Sequence, residues 1–187
     1  MRVAIPLEKS WRLFNHGPVT LVSAAHDGRE NVMAVAWATP LDFSPPKLTV
    51  VLAADTFTRA LAEAAGELVI QVPTVSMLTA IEGVGGCSGR EVDKWSRFAL
   101  GREREPGVAA PLVAGCVAWM AARILPHPAL AEAHDLFLVE GFAAWADDRV
   151  YDGARLRDAV PAALRTVHHV AGGVYVVDGE VVRARTT

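Results

Sequence analysis

Two threonines and an aspartate stand at the start of a predicted helix, where they could bind a phosphate group. The segment Asp55-Thr56-Phe57-Thr58 precedes residues whose apolar spacing is helical. The first N–H groups of a helix have no partner within the helix, so together with the hydroxyls of Thr56 and Thr58 they suit an anion. The charge of Asp55 opposes this because it would repel a phosphate. Helix capping by Asp55 or Thr56 explains the same residues equally well.

A second candidate anion site lies at residues 88–95, which carry two cations. Arg90 and Lys94 are four residues apart, and Asp93 stands between them. A helix would place all three side chains on one face, because residues three and four apart are neighbours on a helix surface. The two cations could then hold a phosphate, with Asp93 orienting one of them. A solvated charged face is the alternative interpretation, and the spacing taken alone favours it.

Residues 31–39 have the pattern of a strand with one face almost free of bulk. The even positions hold a valine followed by three alanines, whereas the odd positions hold larger residues that include Trp37. A strand sends alternate side chains to opposite faces, so a flat ligand could lie close to the backbone on the small-residue face. Trp37 is either a core residue or a wall for a stacked ring. The pair Pro45-Pro46 removes two backbone donors and predicts an extended loop after the strand.

Histidine and cysteine give weaker signals than the threonines and the cations. His134 precedes an apolar strand pattern and could reach a ligand at the end of that strand. The adjacent His168 and His169 would point to opposite faces of a strand, and no acid or cysteine stands at metal-ligand spacing, so we predict no metal site. Cys87 near Arg90 is a candidate reactive thiol, although a small residue in a Gly-rich turn is the simpler interpretation. Without a GxSxG motif, no catalytic residue is assigned.

Strands dominate the elements that must position these residues. Hydrophobic patterning predicts strands at residues 18–26, 31–39, 47–53, 67–73, 113–125 and 136–146, and a final hairpin at 174–183 that turns at Asp178-Gly179. Helices are predicted at residues 56–65, ended by Gly66, at 75–84, within 155–165, and near Gly89, where Ser88 and Glu91 form a capping-box pair. Asp27-Gly28 is a hairpin signal that joins the first two strands. These links favour an all-β core, an antiparallel barrel with helices packed outside, over a doubly wound parallel sheet.

Composition narrows the classes of function. The chain has 187 residues, of which 52% are hydrophobic, and we expect residues 1–187 to form one domain. The net charge of -3 shows no basic excess, so neither nucleic acid nor an anionic membrane is an expected partner. The longest apolar run, at residues 113–122, is about half of what a membrane-spanning helix needs. The first residues lack the apolar core of a secretory signal, so we expect a cytoplasmic protein in which the two cysteines stay reduced.

Five segments, taken in chain order, carry a family resemblance. They are PVTLV at 18–22, NVMAVAWATPLDFSPP at 31–46, TFTRAL at 56–61, SGREVDKW at 88–95 and HDLFLVEG at 134–141. In this combination the chain resembles the flavin reductase-like proteins, most closely their flavoredoxin branch. The resemblance implies the FMN-binding split barrel fold, an antiparallel Greek-key barrel that forms homodimers with FMN near the dimer interface.

The same resemblance implies a set of cofactor-binding residues. They are Asn31, Val32, Trp37, Ala38 and Thr39 along the flavin ring, Thr56, Thr58, Arg90 and Lys94 at its phosphate, His134 near the cofactor, and Tyr175 at the flavin's border. Contacts with the ring would come largely from backbone groups. The implied flavin would carry the redox chemistry, while the protein would supply binding and orientation.

The expected function is that of an FMN-binding oxidoreductase of the flavin reductase type. It would pass reducing equivalents from NAD(P)H or an electron carrier through the flavin to an acceptor. Two alternatives stay open at this point. One is a non-enzymatic FMN carrier for electron transfer or flavin storage, and the other is a barrel that binds a different planar ligand such as haem or a deazaflavin.

Overall fold

Antiparallel strands form the centre of the protein in the computed structural model, which describes residues 2–14, 17–153 and 155–184. The strands are β1 (Arg2–Ala4), β2 (Thr20–His26), β3 (Arg29–Val35), β4 (Ala38–Phe43), β5 (Pro46–Val51), β6 (Glu67–Val72), β7 (Arg102–Glu103), β8 (Leu112–Val113), β9 (Ala118–Leu125), β10 (Leu136–Asp147), β11 (Val167–Ala171) and β12 (Val174–Val177). The main sheet has the order β3-β2-β6-β9-β10-β5-β4, and β1 pairs with β10. Two small sheets, β7–β8 and β11–β12, complete the described strands.

Helices lie in the connections between these strands. The α-helices are α1 (Phe57–Ala65), α2 (Leu78–Gly85), α3 (Lys94–Arg97) and α4 (Pro128–His134), and short 3-10 helices span Leu7–Leu13, Val75–Met77 and Ala162–Leu164. Gly66 ends α1 in the left-handed region at φ 71°, as its position after the apolar pattern predicts. None of the helices in the described ranges is long and apolar enough to span a membrane.

The main sheet separates two apolar cores, because its central strands bury both faces. On β2, Val22 belongs to an inner core that also includes side chains of α1, whereas the neighbouring Leu21 belongs to an outer core with side chains of α2 and α3. This follows from the two-residue period of a strand. The fold is therefore the antiparallel barrel with outer helices that the hairpin links predict. In this barrel, α1 and α2 pack on opposite faces of β3.

The hairpin of β2 and β3 forms as its turn residues predict. Asp27 and Gly28 both have positive φ, at 48° and 72°, which suits the tight turn between two twisted strands. The strands then pair from His26 opposite Arg29 to Thr20 opposite Val35. The prediction of one strand at residues 31–39 is wrong, however, because β3 ends at Val35.

The chain bends at Ala36 and Trp37 and changes its partner strand. The carbonyl of Trp37 accepts a hydrogen bond from the N–H of Val51 at 3.0 Å, so the chain leaves β2 and pairs with β5. Trp37 is 70% exposed, and the interpretation of it as a core residue is therefore wrong for this chain. The double proline is also not an extended loop. Pro46 opens β5 opposite Phe43, at the first position of a strand where a missing donor is tolerated.

Two predicted helices differ from the structure for local reasons. At residues 88–95 the helix begins only at Lys94, because the Asp93 carboxylate accepts from the N–H groups of Trp95 and Ser96 at 3.0 and 3.4 Å. The capping box at Ser88 is therefore wrong, and Arg90 does not share a helical face with Lys94. Within residues 155–165 only the 3-10 turn after Pro161 is helical.

Two predicted strand boundaries are wrong as well. The strand at 113–125 is divided into β8 and β9 by a turn in which Gly115 has φ 89°. The final hairpin turns at Gly172-Gly173, where φ is 54° and 76°, and not at Asp178-Gly179. The carboxylate of Asp178 instead bonds the side chains of Thr166 and His168, which fixes the chain just after β12.

Candidate functional site

A cavity of about 410 Å³ lies where the start of α1, strand β3 and the loop after α2 meet. We call it the polar cavity. Its lining includes the predicted cofactor-binding residues Asn31, Thr56, Thr58 and Lys94. The other lining residues are Met33, Ala34, Asp55, Phe57, Val84, Gly85, Gly86, Cys87, Ser88, Gly89 and Glu91. The structure thus brings together two candidate anion sites that are about 30 residues apart in the sequence. Both predicted segments contribute polar groups to this one cavity.

Asn31 and Thr58 form a buried hydrogen-bonded pair at the base of the polar cavity. The amide nitrogen of Asn31 donates to the hydroxyl of Thr58 at 2.9 Å, and both residues are buried. Gly89 packs directly on this pair. A Cβ at position 89 would lie only 2.1 Å from Oδ1 of Asn31, so the close approach of the loop requires glycine. Asn31 therefore joins β3, α1 and the loop after α2.

Lys94 supplies a buried positive charge to the same cavity. The residue is only 4% exposed, and its Nζ donates to the carbonyl of Val84 at 2.6 Å. Burial lowers the pKa of Lys94, and the neighbouring Cys87 partly counteracts this effect. Lys94 takes part in no ion pair among the described residues. Since an ammonium group has three donors, two remain for an anion in the cavity.

The start of α1 keeps its backbone donors available. Thr56 is the N-cap residue, yet its hydroxyl donates to the carbonyl of Ala53 at 2.8 Å and makes no capping bond. The capping interpretation of Thr56 is therefore wrong. Arg90 reaches the same place from the other wall, since its Nη1 donates to the carbonyl of Asp55 at 2.5 Å. Unpaired N–H groups and adjacent cations together suit a phosphate.

A second, less polar cavity of about 320 Å³ adjoins the first. We call it the aromatic cavity. It is lined by Val19, Ala34, Val35, Ala36, Ile81, Glu82, Gly85, Gly86, His169 and Tyr175. Ala34, Gly85 and Gly86 border both cavities. A Cβ at Gly85 would lie 3.6 Å from the Cβ of Ala34, in ordinary van der Waals contact, so only small residues stand where the two cavities adjoin. The two cavities together form what we call the groove.

The hairpin β11–β12 closes one side of the aromatic cavity. The hydroxyl of Tyr175 donates to the carboxylate of Glu82 on α2, and the ring of His169 lies 5.2 Å from the Tyr175 ring. Burial and the bond to Glu82 raise the pKa of Tyr175 to about 12, so the hydroxyl stays protonated at neutral pH. Neither Glu82 nor His169 is a predicted site residue. The only sequence feature that points toward this side of the aromatic cavity is the Gly85-Gly86 pair, which follows a predicted helix.

Several predicted cofactor-binding residues lie outside the groove. Val32 is buried in the outer core and Ala38 in the inner core, whereas Trp37 and Thr39 are exposed beyond the bend after β3. His134 is exposed at the end of α4. The roles that the family resemblance implies for these residues stay predictions. Ala34 and Ala36 are the members of the small-residue face that line the groove.

The arrangement suits one kind of ligand. The polar cavity offers an anion the ammonium group of Lys94 and the N–H groups at the start of α1, and the aromatic cavity offers a flat ring small residues on one side and Tyr175 on another. Among residues 2–14, 17–153 and 155–184, no three histidine, cysteine, aspartate or glutamate side chains are grouped as a metal site. Another cavity of about 330 Å³, lined by residues between Val150 and Val181, contains none of the predicted site residues.

Comparison with known proteins places this chain and its fold in a family. Residues 12–164 match the profile of the "Flavin reductase like domain". The uncharacterized protein YddH of Escherichia coli K12 is 36% identical over 185 residues, which cover 97% of each chain. The FMN-binding domain of a flavin reductases-like enzyme from Shewanella baltica OS155 is 42% identical, with a TM-score of 0.96 over 99% of this chain and 98% of that chain.

The flavoredoxin of Desulfovibrio vulgaris (Miyazaki F) shares the fold at lower identity. It is 23% identical, with a TM-score of 0.77, and the match covers 90% of each chain. These comparisons confirm the resemblance and the split barrel that the five sequence segments imply. The chain therefore belongs to the flavin reductase-like family and has the split-barrel fold of its FMN-binding members.

Proposed function

We propose that the groove binds FMN and that the protein is a flavin-dependent oxidoreductase. One observation carries the proposal: a cavity that holds the buried ammonium group of Lys94 and the start of α1 adjoins a cavity lined by Tyr175 and His169, and Ala34, Gly85 and Gly86 border both. FMN has the same two parts, a phosphate and a flat ring. The Shewanella baltica relative, described as FMN-binding, matches almost the whole chain and supports the same ligand.

The residues of the polar cavity would hold the phosphate. Backbone N–H groups at the start of α1 and the hydroxyl of Thr58, which accepts from Asn31 and keeps its own hydrogen, would donate to its oxygens, and Lys94 would balance its charge. The hydroxyl of Thr56 would join them by exchanging its bond to the carbonyl of Ala53 for one to the phosphate. Arg90 lies beside this position through its bond to Asp55. Because Lys94 and Thr58 are buried and already hydrogen-bonded, the site is organised before a ligand arrives.

The aromatic cavity would orient the ring. Ala34 and Ala36 present little bulk, so the ring would lie close to the backbone of β3, and Tyr175 would border it. Bound flavin supplies the capacity to accept and pass on reducing equivalents. The protein binds and orients the flavin and shields one side of the ring from water, and we assign no catalytic side chain. We propose NAD(P)H or an electron carrier as the reductant at the open side.

A second copy of the chain would cover apolar side chains next to the groove. Trp37 in the bend before β4 is 70% exposed, and Leu41 and Phe43 on β4 are 56% and 62% exposed. They follow Ala36, which lines the aromatic cavity. A contiguous exposed apolar surface of this kind marks an interaction site. We therefore propose a homodimer, in agreement with the homodimer that the family resemblance implies. We also propose that residues 1–187 form one domain and that the protein works in the cytoplasm.

Spectroscopy and titration of the purified protein test the proposal. The freshly purified protein, or the apo-protein after addition of FMN, should show the visible absorbance of bound flavin. Steady consumption of NADH or NADPH with a flavin or dye acceptor would support the oxidoreductase. A flavin-loaded protein that consumes neither would instead support an FMN carrier. Failure to bind FMN or riboflavin at micromolar concentrations would refute the assignment of the groove.

A further inference from the structure

The carboxylate of Glu82 gives the aromatic cavity a negative charge. Among the described residues that line this cavity, Glu82 is the only acid, and no lysine or arginine is among them. The hydroxyl of Tyr175 stays protonated at neutral pH, because its pKa is raised to about 12. While the ring of His169 is neutral, Glu82 therefore supplies the only formal charge of the described lining.

No cation neutralises this carboxylate within residues 2–14, 17–153 and 155–184. Glu82 takes part in no ion pair in those ranges. Its Oε1 accepts the hydroxyl of Tyr175, a neutral partner that leaves the negative charge in place. A Cβ at Gly173 would lie 3.9 Å from Oε2, so the carboxylate lies between α2 and the turn of the hairpin β11–β12.

The position of Glu82 is unfavourable for the helix that carries it. Glu82 lies in the last turn of α2, where the final carbonyl groups carry a partial negative charge. Neither the helix dipole nor an ion pair therefore accounts for an acid at this place. The bond to Tyr175 accounts for a hydrogen-bond acceptor, but the amide oxygen of a glutamine would serve that purpose without a charge. The charge itself therefore points to the contents of the cavity.

The groove carries opposite charges at its two ends. The buried ammonium group of Lys94 lies in the polar cavity, and the carboxylate of Glu82 lines the aromatic cavity. An anionic ring in the aromatic cavity would be repelled by Glu82 and would find no cation in the described lining. A cationic ring would instead be attracted by Glu82 and by the faces of the aromatic side chains.

We propose that Glu82 determines which planar substrates the aromatic cavity accepts. Aromatic rings that are uncharged or positively charged are accepted, and rings that carry a carboxylate or a sulfonate are disfavoured. The inference rests on the proposed function, because the substrate meant is the one that exchanges electrons with flavin bound in the groove. Glu82 is exposed, so water screens its charge and limits the discrimination to about an order of magnitude.

Three two-ring probes of similar size test the inference on the FMN-loaded full chain. At about pH 8, where histidine side chains are generally uncharged, 1-methylquinolinium is a cation, quinoline is neutral and 2-naphthoate is an anion. Calorimetric titration should show the tightest binding for the cation and the weakest for the anion. Glu82→Gln removes the charge and keeps an acceptor for Tyr175. It should reduce the ratio of the anion's dissociation constant to that of the cation by about three- to tenfold, and change the constant of quinoline by less than about twofold.

Glu132→Gln is the matched control for this substitution. Glu132 is also an exposed glutamate in the last turn of a helix, α4, but it lies outside the groove. Its substitution should change none of the three constants. Tyr175→Phe removes the bond to Glu82 and keeps the charge, so the order of the three probes should persist.

The salt dependence of the wild-type protein keeps the test decisive if Glu82→Gln does not fold. Added salt screens an exposed charge, so it should bring the constants of the anion and the cation closer together. A ratio of these constants that changes with neither salt nor Glu82→Gln would overturn the inference.

The outcomes separate this inference from the proposed function. If the wild-type protein binds no flavin, the proposed function fails and the inference fails with it. If FMN binds but the three probes bind equally, or none of them binds at millimolar concentrations, only the inference fails. If Glu82→Gln weakens all three probes by the same factor, Glu82 acts by holding the hairpin in place, and the inference is again wrong.

Discussion

Replacing Lys94 with methionine tests whether a buried charge in the polar cavity binds the phosphate of FMN. The substitution removes the ammonium group and keeps the length of the side chain. Lys94 is 4% exposed and has no carboxylate partner among the described residues, so its charge is available to a ligand. A charge-assisted hydrogen bond contributes about 1.5–3 kcal/mol. Lys94→Met should therefore raise the dissociation constant of FMN by roughly ten- to a hundredfold.

Riboflavin separates a lost phosphate contact from a damaged groove. It lacks the phosphate, so its dissociation constant should stay nearly the same in Lys94→Met. Lys9→Met is a matched control, because Lys9 lies on the first 3-10 helix, away from the groove. Fluorescence titration with both flavins measures the two constants. Equal weakening of FMN and riboflavin, or an unchanged ratio of their constants, would refute the role given to Lys94.

The pH dependence of stability and of FMN affinity tests the role of Lys94 independently. Burial lowers the pKa of Lys94 below 10.5, so between the lowered value and 10.5 the unfolded chain binds more protons than the folded protein. The free energy of unfolding should therefore rise with pH across that window, and Lys94→Met should remove the rise. FMN affinity should increase as the phosphate loses its second proton near pH 6 and decrease again as Lys94 deprotonates. In Lys94→Met the alkaline decrease should be absent.

Three further substitutions test the groove and the proposed dimer. Ala34→Leu should block the passage between the two cavities and abolish binding of FMN and riboflavin alike in equilibrium dialysis without lowering Tm; retained binding would contradict the assigned groove. Gly89→Ala would place a Cβ 2.1 Å from Oδ1 of Asn31 and break its bond to Thr58, which should cost about 1–3 kcal/mol in urea unfolding. An unchanged midpoint would argue against that close contact. Trp37→Ser should shift sedimentation from dimer toward monomer, and a dimer that withstands it would show that another surface forms the interface.

Local chemistry in the sequence determined the parts of the fold that depend on near neighbours. The turn at Asp27-Gly28 requires two residues that tolerate positive φ, and the sequence provides them. The apolar spacing after Thr56 and the glycine at 66 define α1 at both ends. The five segments identify the family, because their order and spacing are specific even though each segment alone is less so. The turn and helix signals act between residues that are near neighbours in the chain, whereas the family is identified by the order of segments between residues 18 and 141.

Only the tertiary structure decides where β3 ends, which strand the chain pairs with next, and which elements cover the face of β3. The bend at Ala36 and Trp37 depends on a hydrogen bond to Val51, and nothing within the 31–39 pattern reveals that partner. The groove likewise needs Glu82 and Tyr175, which are 93 residues apart and meet only when β12 packs on α2. The alternation of a strand specifies which side chains share a face. Which other element covers that face is set by long-range pairing, and a single strand's pattern does not encode it.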